Sequence, residues 1–78
     1  MDEIQMISIE KIRNTECEII IRFPHNRALQ IRVTNEEEEG FVSRVMDALQ
    51  MSYKLRYTEL QMLENILNGA LQIVKRRK

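Results

Sequence analysis

Cys17-Glu18-Ile19-Ile20-Ile21-Arg22-Phe23 and Leu29-Gln30-Ile31-Arg32-Val33, joined through Pro24-His25-Asn26, decide the fold of this chain. In both stretches the odd-numbered residues are apolar, and most even-numbered ones are charged or polar. A period of two marks a strand with one face on a core. Proline suits the first central position of a type I turn, and asparagine tolerates the left-handed conformation that closes a three-residue hairpin loop. That loop sets Ile21 against Leu29, Ile19 against Ile31 and Cys17 against Val33, with Glu18 facing Arg32 as a cross-strand ion pair on the opposite side. A five-residue loop keeps the faces but gives Glu18 no obvious partner, so the shorter loop is expected.

Towards the N-terminus, Ile4 to Ile12 supplies a further strand that turns at Asn14-Thr15. Its pattern is mixed. Ile7 and Ile9 fit one face, Met6 and Ile12 the other, so its register is open. With Ile20, those two leave the outer face partly apolar, which calls for something to cover it.

Towards the C-terminus, Thr34 or Asn35 is expected to cap a helix whose first turn holds Glu36 to Glu39, where carboxylates favour the positive end of the helix dipole. Val42, Met46, Leu49, Tyr53, Arg56, Leu60, Leu63, Leu67, Ala70 and Val74 then step by four and three residues alternately, a heptad seam. One continuous helix from about 36 to 76 would be roughly 60 Å long, far more than a three-stranded sheet covers. The other reading is a bend near 52–58 with a new start at Thr58, whose Gln61 would complete a capping box. The continuous helix is favoured because the stretch lacks the Gly, Asn, Asp or Pro of short hairpin loops.

The fold expected is therefore α+β: a three-stranded antiparallel meander at about 4–33, then a long helical segment at about 36–76, continuous or bent. Seventy-eight residues suffice for a single domain, 1–78, with a small interior that usually needs a staple, a metal or a second subunit. A single cysteine cannot form an internal disulfide, and a lone thiol without a secretory signal fits the cytoplasm. No apolar run approaches the ~20 residues that span a bilayer, so no membrane partner is expected.

Net charge is zero, which removes the simplest argument for nucleic acid. Its distribution is uneven: residues 1–40 hold five basic against nine acidic side chains, and residues 41–78 seven against three. Cys17 and His25 lie at opposite ends of one strand, about 26 Å apart at ~3.3 Å per residue, too far for a nucleophilic pair or a shared zinc ion. No glycine-rich phosphate loop or nucleophile elbow is present. Glu10, Glu18 and Asp47 could each serve as acid or base, yet nothing singles one out. No catalytic residue, metal or cofactor is expected.

The expected function is that of a small non-enzymatic interaction or regulatory module that self-associates through its helical segment, forming a homodimer of coiled-coil type or engaging another protein. Its anchors would be Leu60, Leu63, Ile66, Leu67, Ala70, Leu71 and Val74, which broaden the apolar face beyond one contact surface. The alternative is a nucleic-acid-binding accessory protein using Arg22 and Arg32 on the strand face, Arg27 at the hairpin and the basic tail Lys75, Arg76, Arg77 and Lys78. The tail also fits a plain cation cluster at a helix C-terminus.

Overall fold

The computed structural model describes residues 4–76. Three strands, β1 (Met6–Glu10), β2 (Glu16–Phe23) and β3 (Arg27–Thr34), precede two helices, α1 (Phe41–Ser52) and α2 (Tyr57–Arg76). The sheet is antiparallel in the order β1-β2-β3, with β2 in the centre.

The hairpin register is the one the alternation dictates. Ile21 pairs with Leu29, Ile19 with Ile31 and Cys17 with Val33. β1 resolves its mixed pattern in favour of Ile7 and Ile9, opposite Ile21 and Ile19. Met6 and Ile12 are consequently exposed. Ile20, on the outer face, is nevertheless buried between Ser8 and Gln30 on the neighbouring strands. Glu18 and Arg22 flank it along β2, and long charged side chains shelter apolar surface with their stems while the heads stay wet.

The hairpin loop differs from expectation in one torsion. Both His25 (φ 65) and Asn26 (φ 60) are left-handed, whereas a type I turn needs a negative φ at the residue after proline. Proline's fixed φ serves types I and II alike, so it cannot select between them.

The helical half is bent, not continuous. Tyr53 adopts an extended conformation (φ −133, ψ 146) and ends α1, its N–H still donating to the Leu49 carbonyl. Its ring stacks on Phe23 at the hairpin end of the sheet, with centroids 5.0 Å apart. That tertiary contact holds a break for which the local sequence carries no glycine or proline. The helix start is also later than expected. Glu36 to Glu39 lie in the connection ahead of α1, and Gly40 at φ 90 is the residue before its first turn. Thr34 organises that connection instead, its Oγ1 accepting from the Glu36 N–H at 3.3 Å.

α2 packs on β2, β3 and α1. One stripe of the helix, Leu63, Leu67, Ala70 and Val74, is wholly inaccessible and joins Cys17, Ile19, Ile21 and Val33 in one core. At its two ends α2 is fastened by polar contacts. Lys75 Nζ donates to the Glu37 carbonyl at 2.8 Å. At the other end Glu59, although nearly buried, accepts from two backbone N–H groups: that of Arg56 at 2.9 Å and that of Ile4 at 3.0 Å.

Candidate interaction surface

The seven helical residues expected to mediate self-association divide in two. Leu63, Leu67, Ala70 and Val74 are inside the monomer's own core, and Leu60, Ile66 and Leu71 are half-buried against it. The fully buried part of the seam's second half is the apolar stripe that α2 lays on the sheet.

The basic residues are spread over both ends of the molecule and are largely engaged. Arg22 Nη1 donates to Glu10 Oε2 at 3.1 Å and to Ser8 Oγ at 3.3 Å, while Ser8 Oγ donates to the same carboxylate at 2.5 Å. Glu10 is therefore held below the usual carboxylate range by the hydroxyl of Ser8 and then by the Arg22 guanidinium. Arg32 does not take the carboxylate directly opposite. Although it pairs with Glu18 along the strands, its Nε donates to Glu16 Oε2 at 2.9 Å and its Nη2 bonds the same oxygen. The diagonal position lets both arms of the planar fork reach one carboxylate, which directly opposed Cβ atoms do not favour. Glu18 is left to Lys11, with Nζ 3.6 Å from Oε2. Arg27 lies over the Phe23 ring at 5.7 Å and donates to the Pro24 carbonyl at 3.4 Å. Lys75 and Arg76 end α2 at the far side of the sheet from the hairpin, and Arg77 and Lys78 lie outside the described residues.

The groups with covalent chemistry are apart, as their sequence positions require. Cys17 is wholly inaccessible on the core face of β2, and burial pushes its thiol above the ordinary value. His25 is exposed in the hairpin loop. Among the described residues no three of His, Cys, Asp or Glu converge as metal ligands would, and no helix is long and apolar enough to cross a membrane.

One concave surface is predominantly apolar. A groove of about 420 Å³ is lined by Leu29, Gln30, Ile31 and Arg32 of β3, by Val45, Ala48, Leu49 and Ser52 of α1, and by Tyr53. Consecutive strand residues point to opposite sheet faces. Four of them in a row can line one groove only where it runs along the strand's edge. Among the described residues β3 is an edge strand, paired with β2 on one side only. An edge strand presents outward a row of N–H and C=O groups without ladder partners. α1 forms the opposite wall, and the exposed Ala48 and Ser52, one turn apart, keep that wall low. Nothing in the sequence pattern alone announces this groove, since it arises from the distance at which α1 sits beside β3.

Arg32, the charged residue within the lining, is already bonded to Glu16, and the charges flanking the groove are ordered by position. At the hairpin end stand Arg27, beginning β3, and Lys54, which follows the groove residue Tyr53. At the other end the connection Glu36 to Glu39 joins β3 to α1. No family model matches this sequence, and comparison with curated proteins and with solved structures gives no match either.

Proposed function

We propose that this chain is a small non-enzymatic interaction module whose docking surface is the groove between β3 and α1. The observation that carries the reading is the coincidence, in one place, of an open strand edge and an apolar wall. The edge offers backbone hydrogen bonds and the wall offers burial, which together make the strand-addition mode of recognition. The mechanism is binding alone, since the one thiol is inside the core and the carboxylates of the sheet face are held by cations.

Nucleic acid is a weaker occupant of this fold. A polyanion gains by releasing counterions from cations that are available to it. Arg22 and Arg32 each already carry a carboxylate. The sheet face has no aromatic platform, because Phe23 is buried on the other side against Tyr53. Self-association through the α2 seam would require the helical hairpin to lift from the sheet and expose Leu63, Leu67, Ala70 and Val74.

The reading is tested by panning a displayed library of random peptides of about ten residues against the protein and against Ala48→Trp, which fills the groove from an exposed position. Enrichment on the parent chain and its loss on the variant, with unchanged circular dichroism, is the expected result. Equal enrichment on both would place recognition elsewhere. As a second obstruction in case the indole perturbs α1, Ala48→Lys should give the same loss.

A further inference from the structure

We infer that the groove takes an extended peptide running antiparallel to β3, with basic character at its N-terminal end, apolar residues at alternate positions, and acidic character at its C-terminal end. This rests on the docking surface proposed above and names its occupant.

Direction follows from the geometry of the walls. β3 runs from the hairpin, at Arg27, to the acidic connection, at Thr34. α1 returns from that connection to Tyr53, which stacks on Phe23 beside the hairpin. The groove therefore has a basic end, with Arg27 and Lys54, and an acidic end, with Glu36 to Glu39, where Arg32 of the lining is already taken by Glu16 and the four carboxylates outnumber the exposed Arg44 at the start of α1. A strand added to an edge forms its better ladder when antiparallel. Such a strand begins at the acidic end and finishes at the basic one. Its own charges must be the reverse of the groove's, since like charges set side by side repel and opposed potentials fix orientation.

Alternation follows from the edge. A peptide paired to β3 presents every second side chain on the core side of the sheet, over Val45, Ala48 and Leu49, and the others to solvent. The low wall at Ala48 and Ser52 leaves room for branched aliphatic side chains there. A second copy of this chain is a poorer occupant of the same edge. Two-fold pairing of β3 with β3 would bring each copy's α1 under the other's sheet, into the layer that α2 already fills.

The test uses two synthetic peptides of identical composition, each with a short alternation of valine and serine. One carries two lysines at the N-terminal end and two glutamates at the C-terminal end, and the other carries the same charges exchanged. Both are titrated into the ¹⁵N-labelled chain. The expected result is that the first binds about tenfold more tightly at low salt. Its binding should shift the amides of Leu29, Ile31, Ala48 and Ser52, and Lys54→Glu, at an exposed position, should narrow the preference. Binding at these amides with equal affinity for the two peptides, or in favour of the second, would overturn the polarity while leaving the docking surface in place. If both peptides shift only amides remote from β3 and α1, or shift none, the occupant named here is wrong. The library experiment then decides the surface by itself.

Discussion

Glu59 shows how much one side chain can organise in a fold of this size. Standing at the third position of α2, it caps that helix by taking the Arg56 N–H and ties the chain entering β1 through the Ile4 N–H. A capping box is recognised from a serine or threonine at the cap and a glutamate three residues on. Here arginine occupies the cap position, so the expected Thr58–Gln61 pairing is displaced, and Gln61 instead donates to the Tyr57 hydroxyl at 3.1 Å. Hydrogen bonds donated to a nearly buried carboxylate contribute about 1.5–3 kcal/mol each. We expect Glu59→Ala to lower stability by about 2–3 kcal/mol in thermal or urea unfolding, with faster hydrogen exchange at Ile4 and Arg56. The titrating groups set a window of stability. Glu10 is depressed below its ordinary value of 4.5, so the stabilisation it contributes is present above that pH and is lost as the pH falls through its folded value. Cys17 is raised above its ordinary value of 9.0, so its contribution holds below that pH and is lost as the pH rises through its folded value. Urea midpoints across this range should fall at both edges. Ellman's reagent should react with Cys17 slowly in the native protein and promptly in denaturant.

At the scale of elements, the strands were readable and the helical half only in part. A period of two together with a three-residue loop admits one register for β2 and β3, because a slip by one residue would turn every apolar side chain outward. The helical seam is less restrictive. A stripe repeating by threes and fours is required equally by a coiled coil and by helices laid on a sheet, and the count happens to run on through residues 53–56. What interrupts α1 is the stack of Tyr53 on Phe23, two residues thirty positions apart whose meeting no local pattern encodes. The acidic run was misplaced for a related reason. Glu36 to Glu39 suit a first helical turn by charge, yet Gly40 at φ 90 sets the start of α1 after them. Within α2, Gly69 has nothing within 4 Å of where a Cβ would stand. Glycine in a helix interior costs about 1 kcal/mol relative to alanine, so Gly69→Ala should stabilise the protein by about 0.5–1 kcal/mol, read from the melting temperature. A loss of stability would mean that the helix needs the glycine for a contact on that face.

The whole molecule solves the problem of a small core by using its longest helix as the lid of its own sheet. The strands and turns from Met6 to Thr34 bury one face, and α2 supplies the stripe that closes it, with Lys75 and Glu59 pinning the two ends. Apolar surface remains exposed at Met6, Ile12, Met51, Tyr57 and Met62 and in the groove beside β3, where the functional proposal lies. The candidate site was the part least legible from residues alone. Leu29, Ile31 and Leu49 read as ordinary apolar positions of a strand face and a helix seam, and it is their placement across the gap between β3 and α1 that supports the proposed docking surface. Of the residues read as a surface for a second chain, Leu63, Leu67, Ala70 and Val74 are inside the core, while Leu60, Ile66 and Leu71 stay half-buried at its margin. The most direct measurement of this account is sedimentation equilibrium across the micromolar range. We expect a single species at the monomer mass of 9.3 kDa, with an unfolding midpoint that does not depend on protein concentration. A mass of twice that value, with a midpoint that rises with concentration, would contradict it.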